Sequence, residues 1–136
     1  MSNLTPPDLD PLDPPPLTPA RSGCPIATTL DLVGDRWTLV IIRDMITGKT
    51  RYGDFLDSPE GVTTNILADR LKRLVATGLV MKEAYQQNPV RHEYHLTDRG
   101  ADLLPVLQQM SLWANTHAPE TRVLPAWFMD DGVPPA

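Results

Sequence analysis

The residues best suited to chemistry in this 136-residue chain are small and polar side chains that recur at helical spacing between positions 62 and 78. At 100° per residue, Thr64, Asn65, Ala68 and Lys72 fall on one face of a helix. An asparagine amide can pair with adenine, an alanine methyl can contact the methyl group of thymine, and a lysine can reach guanine or a phosphate. The pattern predicts a helix that touches base edges in the major groove of DNA; the alternative is an ordinary solvated face.

Four more residues complete the predicted DNA-binding set. Thr63 begins the same helix, and Arg70 lies toward its apolar edge, where it could contact a phosphate or form an ion pair within the domain. Arg73 is better suited to solvent or a phosphate than to a base. Arg91 is the one basic residue of a downstream turn, where it could reach a minor groove or the DNA backbone, or simply be a solvated arginine.

This helix has a clear buried side and clear ends. Leu67, Leu71 and Leu74 repeat at i, i+4 and i+7 opposite the polar face, which predicts an amphipathic helix over Thr63–Thr77. Gly78 follows directly, and glycine is the residue that most often ends a helix in the left-handed conformation. The helix is therefore expected to bury its leucines and present the polar face to a partner.

The elements on either side of this helix suggest a known arrangement. Strands are predicted at Val80–Tyr85 and His92–Leu96, with a polar turn between them. A short apolar helix at Arg51–Leu56 precedes the reading helix across a turn at Pro59–Gly61. A short helix, a reading helix and a hairpin are the outline of a winged helix-turn-helix, so we expect an α+β, mainly α fold.

Flanking helices are predicted to supply the core and a subunit interface. Pro25–Val33 reads as a short helix, and Trp37–Ile46 is apolar nearly all round, which indicates a central core helix. Thr97 is expected to cap one long helix, Asp98–His117, bent at Pro105. This helix carries more apolar surface than a small domain can cover, so we expect a homodimer. The predicted interface residues are Ile26, Leu30, Leu103, Leu107, Met110 and Ala114.

The formal net charge of −5 argues against a nucleic-acid binder until it is resolved by region. Residues 1–20 hold seven prolines and three aspartates, which predicts a disordered tail. Residues 21–118 form the predicted domain, and within it the stretch 62–82 has four basic residues against Asp69 alone. Residues 119–136 are interpreted as a C-terminal tail, although Trp127, Phe128 and Met129 could fold back.

The single cysteine, Cys24, excludes a disulfide within the chain. It precedes Pro25 at a helix start, with Arg21 three residues earlier, and the positive end of a helix stabilises a thiolate. Cys24 is therefore a candidate redox sensor, with a small buried interface residue as the plainer interpretation. The sequence has no secretory signal and no membrane-spanning run, so we expect a cytoplasmic protein with no membrane partner.

Other chemistry-bearing residues lack the spacing that a site requires. Lys49 follows a glycine as in a phosphate-binding loop, but Arg43 stands where the leading glycine is needed. His92 and His95 lie an odd number of residues apart on a strand, so they point to opposite faces and make a poor metal pair. We expect neither an enzyme nor a bound cofactor or metal.

The residues from Cys24 to His117 carry five groups of markers whose order and spacing resemble one family, the HxlR-type transcriptional regulators of the MarR-like winged helix proteins. The markers are Cys24-Pro25; Gly34-Asp35-Arg36-Trp37-Thr38-Leu39; Arg51-Tyr52-Gly53-Asp54-Phe55; Leu67-x-x-Arg70-Leu71-x-x-Leu74-x-x-x-Gly78-Leu79; and Val90-Arg91-x-Glu93-Tyr94-x-Leu96-Thr97-x-x-Gly100. The resemblance implies a homodimer that binds double-stranded DNA at a roughly palindromic operator and regulates a nearby gene. Some members sense oxidants or electrophiles through a cysteine near this position, which implies an oxidant or small-molecule effector.

The chain departs from this family on the reading face. Members often have a basic residue at the position of Asn65 and a hydroxyl at that of Ala68, so with Asp69 this face is less cationic. That departure and the neutral domain leave an alternative from another class, a winged-helix protein-interaction module without DNA binding.

Overall fold

The computed structural model describes residues 14–136, and its helices and single antiparallel hairpin make the predicted α+β, mainly α winged helix-turn-helix. Of the tail predicted to be disordered, residues 1–20, residues 1–13 lie outside the described part of the chain, and residues 14–20 are described without helix or strand. In order, the elements are α1 (Pro25–Val33), α2 (Thr38–Ile46), α3 (Tyr52–Leu56), α4 (Thr64–Ala76), β1 (Val80–Gln86), β2 (Arg91–Leu96), α5 (Asp98–Ala101), α6 (Leu104–His117) and α7 (Ala126–Met129).

The core is built around α2, as its apolar sequence predicts. Ile41 and Ile42 are 1% and 0% exposed, and they share one hydrophobic cluster with Phe55 of α3 and Leu67 of α4. Asp35 stabilises the start of the helix, because its carboxylate accepts hydrogen bonds from the backbone N–H groups of Trp37, the N-cap residue, and Thr38, the first helical residue. The helix that the sequence predicts to be the central core helix therefore lies at the centre of the hydrophobic core.

The ends of α4 follow from single residues. The hydroxyl of Thr63 accepts a hydrogen bond from the Ile66 amide at 3.4 Å, which satisfies one N–H of the first turn. At the other end Gly78 has a φ of +78°, a conformation that side chains disfavour. Thr97, the N-cap residue of α5, is hydrogen-bonded to the end of α4, since its hydroxyl donates to the Gly78 carbonyl oxygen. The predicted helix and its closing glycine are confirmed.

The hairpin pairs β1 with β2 in register, with Val80 opposite Leu96 and Lys82 opposite Tyr94. The register shifts near Ala84, and the turn beyond it contains Asn88 with a φ of +55°, which asparagine tolerates better than most residues. The predicted strands are confirmed, and each strand is one residue longer than predicted at the end next to the turn. Arg91 therefore begins β2 at the tip of the hairpin.

The expected long helix over Asp98–His117 is two helices. α5 ends at Ala101, and α6 starts at Leu104 with Pro105 in its first turn. A proline inside a helix removes a hydrogen bond and collides with the carbonyl four residues earlier, whereas in the first turn it does neither. Pro105 therefore starts a helix here rather than bending one.

The C-terminal segment is packed onto the domain rather than free. Phe128 of α7 is 2% exposed within the core. The side-chain amide of Gln108 donates to the carbonyl oxygens of Phe128 and Asp130, both at 2.9 Å. The packed part of the chain therefore extends beyond residue 118, where the domain was expected to end. The segment interpreted as a C-terminal tail contributes Phe128 to the hydrophobic core.

Candidate nucleic-acid interface

The predicted base-reading residues lie together on the outer side of α4. Thr64, Asn65, Ala68 and Lys72 are all exposed, while the leucines on the opposite side are 0–2% exposed. Thr63 is also exposed, but its hydroxyl is used to cap the helix. We call α4 the reader helix. Its outer side offers an amide, a hydroxyl, a methyl group and an ammonium group, which are groups that can contact base edges and phosphates.

Arg70 forms the ion pair rather than an open phosphate contact. Its Nε donates to Asp35 Oδ2 at 2.7 Å, Nη1 donates to Asp69, and its side chain is 20% exposed. Burial raises the pKa of Asp35, but hydrogen bonds from Thr38 and Arg70 outweigh it and hold that pKa at about 2. Of the two alternatives that the sequence left open, the structure shows the internal one: Arg70 links the reader helix to the start of α2.

Two further contacts hold the first half of the reader helix. The Tyr52 hydroxyl of α3 donates to the Thr64 carbonyl oxygen at 2.7 Å. Before the helix, the guanidinium of Arg43 binds both oxygens of Glu60, at 2.7 and 2.8 Å, and also Ser58. The hydrogen bond from Arg43, opposed by burial, lowers the pKa of Glu60 to about 2. The turn into the reader helix is thereby tied to α2.

Lys82 is a cation beside the reader helix that the sequence did not single out as a DNA contact. It lines an open cavity of about 420 Å³ between the helix and the hairpin, together with Lys72, Ala68, Tyr52 and Tyr94. The signal was present, because Lys82 lies two residues after the buried Val80 and so shares the face of β1 that is turned toward α4. Two ammonium groups on one concavity suit a phosphate.

The hairpin tip is separate from the reader helix. Arg91 is exposed and lies five residues before Leu96 along β2, which corresponds to about 16 Å at a rise of ~3.3 Å per residue. Beside it, the guanidinium of Arg51 stacks over Tyr85 at 3.9 Å and approaches Glu93 at 3.3 Å. Arg73 is exposed on α4 and only loosely paired with Asp69, at 3.6 Å. The available cations thus occupy the helix and the tip.

Cys24 is exposed at the start of α1, where it is the N-cap residue. Its neighbour Arg21 is engaged elsewhere, since its Nε lies 2.7 Å from Asp31 Oδ1. The thiol therefore lies at a helix start without the arginine that the sequence placed near it. The exposed side chain of Ile26 stands two residues further along the same helix.

The predicted interface residues fall into three groups by exposure. Ile26, Leu30 and Met110 are 70%, 54% and 50% exposed, so each leaves at least half of its surface uncovered. Leu103 and Ala114 are partly buried. Leu107 differs from the interface expectation: at 7% exposed it is part of the chain's own core, because its side of α6 faces the domain.

Over residues 14–136, no helix is long and apolar enough to cross a bilayer. Within the same residues, His, Cys, Asp and Glu side chains form no group of three that could hold a metal ion.

Comparison with known proteins adds independent evidence. A family model described as HxlR-like helix-turn-helix matches residues 32–122. The HTH-type transcriptional regulator YybR of Bacillus subtilis is 36% identical over 99 residues, covering 73% of this chain and 79% of YybR. YdeP of the same organism is 35% identical over 95 residues, covering 70% of this chain and 74% of YdeP.

Solved structures with the same fold include two regulators. The redox regulator HypR in its reduced form is similar with a TM-score of 0.64 and 35% identity, covering 70% of this chain and 94% of HypR. The reduced form of the transcriptional regulator YodB from B. subtilis is similar with a TM-score of 0.61 and 28% identity, covering 74% of this chain and all of YodB. The chain belongs to the HxlR-like helix-turn-helix family of transcriptional regulators.

Proposed function

We propose that this protein is a sequence-specific transcriptional regulator that binds a palindromic DNA operator as a homodimer. The proposal rests on the exposed side chains on the outer side of the reader helix. Asn65, Ala68 and Lys72 are exposed there, while the contacts of Tyr52 and Arg70 fix the helix from behind. A reading surface needs this combination of open side chains and a rigid support.

The chemistry of each exposed side chain indicates which part of the DNA it would contact. Asn65 suits the N6 and N7 edge of adenine, Ala68 suits a thymine methyl, and Lys72 suits guanine or a phosphate. Lys82 and Arg73 suit phosphates, which set affinity without reading sequence. Arg91 at the hairpin tip suits the minor groove or backbone at the flank of the site.

Dimer formation is supported by apolar surface that the described chain leaves uncovered. Ile26 and Leu30 on α1 and Met110 and Trp113 on α6 are each at least 50% exposed. Two such chains related by a two-fold axis would present two reader helices to two half-sites. In dimers of this kind the half-sites lie about 34–36 Å apart, one helical turn of DNA.

Selection from a random duplex pool tests this proposal. The purified full-length protein is expected to enrich a two-fold symmetric motif whose half-sites are separated by about one helical turn. Enrichment of no motif would count against sequence-specific binding, and a single unrepeated motif would count against the dimer.

Cys24 is proposed as the point where an oxidant acts. Its thiol is exposed at a helix start, and the similar protein HypR is described as a redox regulator. Because the chain has one cysteine, a protein disulfide must join the Cys24 Sγ atoms of two subunits, with two protons and two electrons passing to a peroxide that becomes water. Cys24→Ser should abolish any peroxide effect on DNA binding; an unchanged response in that variant would exclude Cys24 as the sensor.

A second candidate function is a winged-helix protein-interaction module. It is favoured by the acidic net charge of −5, by the commitment of Arg70 to Asp35, and by the exposed Asp69 on the reader helix. DNA binding that falls steeply with salt distinguishes the regulator from this module, because every phosphate contact releases counterions.

A further inference from the structure

Arg99 holds two consecutive carbonyl groups of the proline-rich segment before α1. Its Nη2 donates to the carbonyl oxygen of Pro15 at 2.5 Å and to that of Pro14 at 3.3 Å. A proline run has no backbone N–H groups, so its carbonyl oxygens are the only backbone groups through which it can be held. A guanidinium with several donors is a suitable partner for such a segment.

Leu17 adds an apolar contact to this hydrogen bonding. It lines an open cavity of about 200 Å³ together with Leu32 of α1, Leu79 after the reader helix and Leu103 before α6. Leu17 lies in a segment without helix or strand and is 39% exposed, so it is partly covered by the residues that line this cavity. The segment is therefore held through its backbone and through one side chain.

Gly78 provides the room for this segment. A Cβ atom at Gly78 would lie 2.7 Å from the Cβ and Cγ atoms of Pro14, closer than Cβ atoms in proteins approach their non-bonded neighbours. The glycine at the end of the reader helix thus serves two needs, a positive φ and space for the proline ring. We call the surface formed by Gly78, Leu79, Arg99 and Leu103 the groove.

The same arginine reaches the end of the reader helix. Arg99 Nη1 donates to the carbonyl oxygen of Thr77 at 2.9 Å, and Thr77 is the C-cap residue of α4. The two terminal nitrogens of Arg99 therefore connect Pro15 on one side with the reader helix on the other. A contact made by the segment is transmitted to the helix through one rigid, planar group.

We propose that this groove is an intramolecular docking site for an extended proline-rich segment, and that its occupant is Pro14–Leu17 of this chain, which we call the arm. The docked arm restrains the end of the reader helix through Arg99. The match to the family model spans residues 32–122, so the arm lies outside the matched residues. The inference does not rest on DNA binding, because every contact lies within the chain.

Backbone ¹⁵N relaxation of the full-length protein tests the docking. The amides of Leu17, Thr18 and Ala20 are expected to have order parameters of about 0.8, close to those of rigid backbone and well above the ~0.6 that marks a flexible segment. Leu17→Ser removes the apolar contact and should lower the order parameters of Thr18 and Ala20 below about 0.6. Val123→Ser is the matched control, since it truncates an apolar side chain that is 81% exposed.

The same spectra test the link to the reader helix. Leu17→Ser should shift the amide resonances of Thr77 and Gly78, and Arg99→Gln should do so too, whereas Arg122→Gln should leave them in place. Order parameters below about 0.6 for Leu17 in the wild-type protein would overturn the docked arm. A rigid arm whose loss in Leu17→Ser leaves Thr77 and Gly78 unmoved would overturn the restraint on the reader helix.

Discussion

Arg70 and Lys72 stand two positions apart on the reader helix and have different surroundings. Arg70 is 20% exposed and paired with Asp35 and Asp69, whereas Lys72 is exposed at the cavity shared with Lys82. The first can support the helix, and the second is open to a ligand. We therefore expect substitutions at Lys72 and Lys82 to act on DNA binding directly.

Lys72→Ala is expected to weaken binding to the operator by about 1–3 kcal/mol while having a smaller effect on random duplex, because a base contact distinguishes one DNA sequence from another.

Lys82→Ala is expected to weaken binding to both duplexes alike, as loss of a phosphate contact does. It should also reduce the slope of log affinity against log salt concentration by about 1. Fluorescence anisotropy with both duplexes over a range of salt measures these quantities.

Arg122→Ala serves as the control for these lysine variants, since it removes one exposed positive charge outside the reader helix and hairpin. Equal losses on operator and random DNA for Lys72→Ala would contradict base reading by Lys72.

The sequence was enough to group the candidate base-contacting residues on one helix face, but it was not enough to decide what each residue does. The outer side of α4 follows from helical period alone, so Thr64, Asn65, Ala68 and Lys72 could be grouped in advance. The role of Arg70 could not, because its partner Asp35 lies 35 positions earlier in the chain. Pairs that far apart are decided by tertiary packing.

At the scale of elements, the reader helix is held by its neighbours at both ends. Tyr52 of α3 binds its first turn, the pair of Asp35 and Arg70 joins it to α2, and Arg99 binds the carbonyl oxygen after its last turn. Each contact comes from a different element. Loss of one is expected to change stability and the angle of the helix without unfolding the domain.

Asp35→Asn tests the strongest of these links. The folded pKa of Asp35 is about 2, below the ~3.9 of an unfolded aspartate. The charged carboxylate therefore stabilises the fold above about pH 4, and this contribution is lost as pH falls toward 2. The substitution is expected to lower the free energy of unfolding near neutral pH by about 1–3 kcal/mol, a difference that shrinks below about pH 4.

Chemical denaturation followed by circular dichroism at several pH values measures this effect. Asp57→Asn, at an exposed position after α3, is the control and should change stability little. A wild-type advantage over Asp35→Asn that stays constant down to about pH 2 would contradict the assigned role of the carboxylate.

Element boundaries were predictable wherever one residue decides them. Thr63, Gly78 and Thr97 mark helix ends by hydrogen bonding or by φ, and the structure has them there. Pro105 was predicted to bend one long helix, and this was wrong, because a proline can also start a new helix, as it does here. The sequence does not say which, since the choice depends on how Leu103 and Leu107 pack against the core.

At the level of the whole molecule, the described part of the chain leaves large apolar side chains exposed on both α1 and α6. Leu30→Asp places a charge in the proposed interface and is expected to give a monomer whose operator affinity falls at least about tenfold, since two half-sites are no longer bound together. Sedimentation velocity measures the mass, and Val123→Asp is the control at an exposed valine. A Leu30→Asp protein that remains dimeric would place the interface elsewhere.

The path of the C-terminal segment could not be predicted. Trp127, Phe128 and Met129 are apolar, but no periodicity surrounds them, and short apolar runs among prolines have no fixed partner in the sequence. In the structure Phe128 fills the core and Gln108 binds the carbonyl oxygen of the same residue. That arrangement depends on the gap that the other helices leave.

Sequence-specific binding is tested most directly by a competition gel shift with the full-length protein and the duplex most enriched from the random pool. The complex is expected to survive about a 100-fold excess of random duplex, because specific sites are bound at least ~10³ times more tightly than non-specific DNA. The complex is also expected to weaken steeply as salt rises. A complex lost to random competitor, or one indifferent to salt, would contradict sequence reading by the exposed side of α4 and favour the protein-interaction module.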